Sequence, residues 1–386
     1  MPAIKAASVA SRTIPSIIHH PPRHARPATM PKPPPPLRIG ILGCANIAKP
    51  FARDVAPSPQ VQIVAVASRD GAKAQAFAQA HQIGRHHASY EALLADDGVD
   101  AIYLPLPNSL HAEWAVRAAA AGKHVLCEKP LALNLAEAQA MFDAARTAGV
   151  MLLEAYPYWF QPQTGAMVAL LQGGNIGQVR SVQASFGFTL SNPLGNIRMN
   201  PAVGGGALLD AGSYPLSMIR LAMGCAPVRV QAFSRWTDGG AQRGVDISTT
   251  ATLHYANGAC AQMSCAMDAA NHRHASIIGS AGVIETEYLN HTSSQSSGHP
   301  VGFQPSLLRV RRGAAGAPFE TIASPVGSGF RFAAEAFAQR VAKRDFAAFE
   351  RTAEASMDIA ATLEALARSA REGVAVDVPV RAARPV

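Results

Sequence analysis

From Leu37 onward the chain alternates short apolar runs with stretches whose apolar positions recur at helical spacing. The runs "LRIGILG", "VQIVAVAS" (61–68), "DAIYLPLP" (100–107), "HVLCEK" (124–129) and "VMLLEAY" (150–156) predict five strands. Between them lie "CANIAKPFARDVA", the Ala-rich stretch 71–81, "LHAEWAVRAAAAG" (110–122) and "NLAEAQAMFDAARTAG" (134–149), four predicted helices. Asn134 is a good cap for the last of these and Gly149 its stop. Strands that are apolar throughout, each followed by a helix, belong to a parallel sheet covered on both faces. Residues 37–156 are therefore predicted to form a doubly wound, Rossmann-type nucleotide-binding domain, α/β in class.

After Tyr156 the rhythm changes. A helix over roughly 161–172 leads into "QVRSVQASFGFTL" (178–190), where apolar and polar positions partly alternate. Between 228 and 287 come "VRVQAFSRW", "DISTTATLHYA", "GACAQMSCAM", "HASIIGS" and "GVIETEY", separated by turn pairs such as Asn257-Gly258 and Ala281-Gly282. That pattern predicts an antiparallel meander. A polar loop over 291–300 and two helices, over about 330–342 and 350–372, complete the pattern. Residues 157–386 are expected to form a second, α+β domain with a large, mostly antiparallel open sheet, carrying substrate and subunit contacts.

Composition changes this picture in one place. The chain of 386 residues, 48% apolar and 16% charged, has material for two soluble domains. Its net charge of +8 suggests nucleic acid until the charge is located. Lys5, Arg12, Arg23, Arg26 and Lys32 supply five of those charges within the acid-free residues 1–36, leaving +3 over the other 350. No basic stripe with interleaved aromatics is visible, so nothing points to DNA or RNA. The same 36 residues hold ten prolines and read as a disordered basic leader, without the apolar stretch of a secretory signal. No apolar run is long enough to span a membrane. Five dispersed cysteines without a C-x-x-C imply a reducing, cytoplasmic setting. The pairs His86-His87 and His272-x-His274 lack Cys or acid partners at ligand spacing, and no metal is expected.

Four strings carry candidate chemistry. "Gly40-Ile-Leu-Gly43-Cys44-Ala45-Asn46-Ile47-Ala48" joins the first strand to the first helix, where a dinucleotide pyrophosphate would approach backbone N–H groups. Read as G-x-G-x-x-G, it keeps Gly43 but has alanines at the other two places. The second strand ends in Ser68-Arg69, with Asp70 next and Lys73 one turn on. An arginine there suits the 2′-phosphate of NADP, while Asp70 keeps NAD as the alternative. "Cys127-Glu128-Lys129-Pro130" ends the fourth strand, where open parallel sheets place ligands, and Pro130 restricts the backbone of Lys129. In "Gly204-Gly-Gly-Ala-Leu-Leu-Asp210-Ala-Gly-Ser-Tyr214-Pro215" a helix would put Asp210 and Tyr214 on one face, with Pro215 making it irregular or late to start. On residues alone, Lys129 reads equally as a salt-bridged surface lysine, Tyr214 as a core aromatic and Asp210 as a helix cap.

Together these strings resemble the Gfo/Idh/MocA family of oxidoreductases over nearly all of Leu37 to Val378. The resemblance rests on "GILGCANIA", "YLPLPNSLHAEWAVRAAAAGKHVLCEKPLALN", "NIGQVRSVQASFGF" and "NIRMNPAVGGGALLDAGSY". It is strongest to the branch of dimeric dihydrodiol dehydrogenases, D-xylose dehydrogenases and glucose–fructose oxidoreductases, which has tyrosine four residues after the aspartate. The resemblance implies hydride transfer between nicotinamide and a CH–OH or C=O carbon of an aldose or trans-dihydrodiol, with no metal. Tyr214 would be the acid–base. A phenol of ordinary pKa ~10 is a weak base at neutral pH, and the Lys129 ammonium would favour its phenolate and stabilise the substrate oxygen. Asp210 would orient the substrate hydroxyl or Lys129. Pro105, Leu106, Asn108 and His111 would line the nicotinamide end, flanked by Glu128 and Pro130, and Asn192 and Arg198 would meet substrate. Many relatives have a basic residue where Trp159 stands, which would exchange a charge contact to the cofactor for stacking. Relatives pair their open sheets, so a homodimer or homotetramer is expected. An NAD-dependent inositol-type or other sugar dehydrogenase and a non-catalytic nucleotide-sensing regulator are the competing readings.

Overall fold

A computed structural model describes residues 34–288, 302–303, 306–313 and 316–379. The leader through residue 33 and the polar stretch 291–300 lie outside the described residues.

The first sheet contains β1 (Leu37–Leu42), β2 (Val61–Ala67), β3 (Arg85–His87), β4 (Ala101–Leu104), β5 (His124–Glu128) and β6 (Leu152–Ala155). All pairings are parallel, in the order β3-β2-β1-β4-β5-β6. Helices α1 (Ala48–Val55), α2 (Gly71–Ala80), α3 (Tyr90–Leu94), α4 (His111–Ala120) and α5 (Leu135–Ala148) connect them. Ile39, Ile41, Ile102, Tyr103 and Leu126 are buried, as strands covered on both faces require. At α5, Asn134 accepts from the Glu137 N–H at 2.9 Å and Gly149 adopts φ +66°. The sheet has six strands where the apolar pattern predicts five. β3 is the polar triplet Arg85–His87, held at the sheet edge by β2, and hydropathy gives no sign of it.

Beyond β6 come α6 (Pro162–Gln172), β7 (Val179–Thr189), α7 (Ser213–Met223), β8 (Arg229–Trp236), the short α8 (Gly240–Arg243), β9 (Asp246–His254), β10 (Cys260–Ala266), β11 (Asp268–Gly279), β12 (Gly282–Thr286), β13 (Leu308–Arg312) and β14 (Glu320–Thr321). Helices α9 (Gly329–Lys343) and α10 (Phe346–Glu372) and strand β15 (Val376–Asp377) follow. Among the described residues these strands form a second sheet ordered β14-β13-β12-β11-β7-β10-β9-β8-β15. The expected meander is interrupted. β8, β9 and β10 are antiparallel neighbours and so are β11 to β13, but β7 lies between β10 and β11, parallel to β10. The chain leaves β7 through a long crossover containing α7, the kind of connection that parallel neighbours need.

Each sheet has its own core. Tyr214, Leu216, Ile219, Val230, Leu253 and Ile277 lie in the second. The last two long helices serve both cores. Phe330 and Phe337 of α9 and Met357 and Ala360 of α10 pack in the first, while Ile359, Leu363 and Leu366 of α10 pack in the second. Each large apolar side chain so buried contributes about 1.5–3 kcal/mol, so α10 is held by both cores at once.

Candidate active site

The carboxyl ends of β1, β4 and β5 open on one cleft of about 800 Å³, and the second sheet closes its other side. The cleft begins at the β1–α1 turn. Gly43 has φ +119°, and a Cβ there would meet Leu106 Cδ2 at 2.7 Å, so the turn needs glycine on both counts. Cys44, Ala45, Asn46 and Ile47 line the wall that follows, with Lys73 beside them. No side chain caps the amino terminus of α1 and its first turn carries no acid, so the end of the helix dipole favours an anion there, although the Ala48 and Lys49 N–H groups themselves donate to the Ala45 and Asn46 carbonyls at 3.1 and 3.3 Å.

Gly40 does other work. It sits inside β1, where a Cβ would press on Leu93 Cδ1 at 2.9 Å, so its missing side chain makes room for packing under α3. Ser68 is buried with its hydroxyl accepting from the Asp70 N–H at 3.2 Å. The Asp70 carboxylate accepts from the Lys73 N–H at 3.1 Å and thereby caps α2. Burial pushes the Tyr90 phenol up, and the nearby Arg69 cation opposes that push. Arg69 and Ser68 are not among the cleft's lining residues.

Beyond β4, Pro105, Leu106, Pro107 and Asn108 line the next wall. Asn108 Nδ2 donates to the Gly204 carbonyl at 2.8 Å, fastening this wall to the second domain's loop. His111 does not reach the cleft. It is fully buried, with Nε2 at 2.8 Å from the Leu106 carbonyl and Nδ1 at 2.9 Å from that of Pro130. Two carbonyls ask for two N–H donors, while burial, aided by Lys129, disfavours the charged ring. Burial is the larger effect and pulls the imidazole below its usual range. His111 thus ties two cleft walls together, and Pro130, joined to Lys129 by a cis peptide, is its anchor.

At the end of β5, Glu128 is buried and accepts the Tyr103 hydroxyl at 2.6 Å. Burial raises its pKa despite that bond and the adjacent Lys129. Lys129 Nζ reaches across to the Gly206–Tyr214 segment, donating to the Asp210 carbonyl at 2.8 Å and to its Oδ1 at 3.0 Å. Arg198 Nε donates to the other carboxylate oxygen at 2.6 Å. Burial opposes ionisation of Asp210, but Lys129 and then Arg198 outweigh it and hold the carboxyl at about 2. Burial likewise works against the Lys129 charge, and Asp210, joined by Tyr214 and Glu128, more than restores it, leaving the amine above its ordinary value.

Local sequence explains how this segment is built. Gly206, at φ +112°, approaches the Asp246 carboxylate so closely that a Cβ would collide with it, and Asp246 Oδ2 accepts the Leu208 N–H at 2.7 Å. A widened turn over Leu208–Gly212 runs on into α7 with helical backbone at Gly212, and Pro215, which has no N–H to donate, follows directly on the widened turn. Tyr214, 4% exposed, then has its ring centroid 4.8 Å from Lys129 Nζ.

Lys129, Asp210, Tyr214 and Arg198 therefore share the cleft with the β1–α1 turn. Of the other expected residues, Gly40, Ser68, Arg69, His111, Pro130, Trp159 and Asn192 do not line it. Trp159 gives its Nε1 proton to the Tyr158 hydroxyl at 2.8 Å and packs against Tyr156 with the rings tilted, centroids 4.9 Å apart. Asn192 is exposed outside the cleft, its carbonyl accepting from Asn196 at 3.3 Å. Phe186 and Phe188 on β7, Arg273 on β11 and Phe330 on α9 line the cleft without having been anticipated. Among the described residues no group of three or more His, Cys, Asp or Glu could hold a metal ion, and no helix is long and apolar enough to cross a membrane.

Residues 37–156 match the oxidoreductase family with an NAD-binding Rossmann fold, and residues 165–285 match the GFO/IDH/MocA C-terminal domain. The chain is 35% identical over 345 residues to a D-xylose 1-dehydrogenase (NADP(+)) of Haloferax volcanii, covering 89% of this chain and 100% of that one. It is 38% identical over 253 residues to a trans-1,2-dihydrobenzene-1,2-diol dehydrogenase of Danio rerio, 64% of this chain and 74% of the relative. A 3-ketoreductase of Actinomadura kijaniata, solved with NADP and TDP-benzene, superposes with a TM-score of 0.73 at 32% identity, over 86% of this chain and 98% of that one.

Proposed function

The chain belongs to the Gfo/Idh/MocA family of oxidoreductases, and on that premise we propose that it moves hydride between NADP and a CH–OH or C=O carbon of an aldose or trans-dihydrodiol, with Tyr214 as acid–base. The observation that carries the reading is the meeting of a buried ammonium and a phenol in one cleft. Lys129 Nζ stands 4.8 Å from the Tyr214 ring centroid while bonded to Asp210. The names of the D-xylose and dihydrobenzenediol dehydrogenases support the substrate class.

NADP, when bound, supplies a two-electron hydride carrier. The uncapped amino terminus of α1 and Lys73 would hold its pyrophosphate. Arg69 would meet the 2′-phosphate, and the engagement of Asp70 as the α2 cap supports NADP over NAD. In the oxidative direction the substrate C–H bond gives up its electron pair with the hydride, and Tyr214 takes the hydroxyl proton. In reduction Tyr214 returns that proton to the oxygen. Lys129 remains protonated throughout and donates to the oxygen where negative charge grows. Asp210, with both oxygens on cations, holds Lys129 and Arg198 in place and is not the base. The outer face of the second sheet, with Gln183, Gln231, Phe233, Thr250 and Gln262 exposed to a shallow groove, would be covered by a second copy in a homodimer or homotetramer.

Tyr214→Phe tests the assignment directly. Nicotinamide absorbance over a panel of aldoses and dihydrodiols should show turnover lowered by about 10²–10⁴-fold, the usual worth of a positioned acid–base, with cofactor affinity nearly unchanged. Undiminished turnover in that variant removes Tyr214 from the role. Cofactor binding without turnover of any substrate by the unaltered protein would favour the nucleotide-sensing reading.

A further inference from the structure

Arg273 stands between His272 and His274 on β11 and pairs in the ladder with Phe186 of β7. Its side chain enters the cleft. There the guanidinium carbon lies 3.9 Å from the Phe186 ring centroid and 4.3 Å from that of Tyr214. Nη1 donates to the Tyr288 carbonyl at 3.3 Å, and the Tyr288 hydroxyl donates to the Ser185 carbonyl at 2.7 Å, so the strands themselves steady the group. The Phe186 and Tyr214 rings meet edge to face at 5.3 Å. A planar cation is thereby held against the proposed acid–base by β7, β11 and the residues after β12.

A guanidinium keeps its charge at every working pH. Against a neutral phenol it is attracted only by the ring quadrupole. Once the hydroxyl proton leaves, the attraction becomes one between whole charges, and partial exclusion of water strengthens it. Other ionisable groups facing the Tyr214 ring are Lys129 from β5, Tyr156 and Tyr158 from the segment after β6, and Tyr103 from β4. Asp210 in the preceding turn brings a negative charge, which it shares between Lys129 and Arg198. The field of Lys129 at the ring is therefore offset in part by its own carboxylate partner, and a second cation on another element changes the balance.

We propose that Arg273 is a positioning residue for Tyr214, holding the ring in the cleft and favouring release of its proton, so that acid–base action at neutral pH depends on Arg273 as well as on Lys129. This rests on the reading of Tyr214 as acid–base. The test uses Arg273→Gln, which removes the charge but keeps a donor for the Tyr288 carbonyl, and Arg273→Lys, which keeps the charge. Tyrosinate absorbance is titrated in each full-length protein and in the same protein carrying Tyr214→Phe; the difference isolates Tyr214. The pH profile of kcat for alcohol oxidation is measured alongside.

In Arg273→Gln both the Tyr214 midpoint and the acid limb of kcat should move to higher pH by on the order of one unit. In Arg273→Lys they should move much less, and the KM for NADP should hold in both. A loss of activity in both variants with the midpoint unmoved would mean packing alone and would overturn the proposal. A midpoint that moves while the kcat profile stays would overturn the acid–base reading of Tyr214 and the dependence proposed for it, while leaving the charge relation between the two side chains intact.

Discussion

Asp210→Asn probes the charge arrangement on which the cleft is built. The carboxyl is held at about 2 against an unperturbed 3.8, a difference that corresponds to about 2 kcal/mol of stability at neutral pH. Because the folded-state pKa is the depressed one, that stability is fully present above about pH 4 and is lost as the pH falls toward 2. The side chain is 16% exposed, so solvent screening removes little of it. An amide at this position keeps the shape but withdraws the negative charge from both Lys129 Nζ and Arg198 Nε. Chemical denaturation at pH 7 should therefore find the variant less stable by about 2 kcal/mol, and the gap should shrink to roughly half by about pH 3 as the carboxyl of the unfolded chain takes up its proton ahead of the native one. Equal stabilities at pH 7 would refute the argument, and so would a gap that does not close in acid. Turnover should fall too, because burial then acts on Lys129 without Asp210 to offset it and the amine loses its charge more readily.

Two further outcomes separate the remaining assignments. Arg69→Ala should raise the KM for NADP by about 10-fold or more, as the loss of a charge-assisted hydrogen bond implies, while the KM for NAD barely changes; equal effects on both would undo the preference for NADP. Phe233→Asp places a charge on the outer face of the second sheet, where Phe233 is 64% exposed, and sedimentation equilibrium should then find the assembly weakened. An unaltered mass would remove this face as the proposed subunit contact.

The first sheet was readable because its strands are covered on both faces, and their continuous apolar runs have no other economical explanation. What escaped was β3, whose residues Arg85, His86 and His87 gain their place from backbone pairing with β2 rather than from burial. The second sheet was legible as a set of strands but not as an order. Alternation tells which face of a strand is buried, and it does not tell which neighbour the strand takes. β7 could join the set at an edge or at the centre with the same pattern, and the crossover through α7 carries it to the centre.

In the site, the readings offered for Lys129 were not exclusive. It is salt-bridged, as the plain reading holds, and it lines the cleft as well, because its partner is Asp210 from the other domain. Sequence spacing cannot reveal a pairing across 81 positions. His111 and Gly40 belong to the strings that mark the site, yet one holds two walls together and the other makes room for Leu93. A motif thus records the residues needed to build a site as well as those that touch its contents. Arg273 is the instructive miss. The strand reading begins at His274, so Arg273 falls just outside it, although β11 extends back to Asp268. Ala275 and Ile277 are fully buried, and counting back by two from them places Arg273 on the inward face. A permanent cation at an inward position of a strand demands a compensating environment, and here that environment includes the rings of Phe186 and Tyr214 and the Tyr288 carbonyl. Extending the alternation by one more residue puts a fourth cation, besides Lys73, Lys129 and Arg198, on the side of the sheet that faces the cleft.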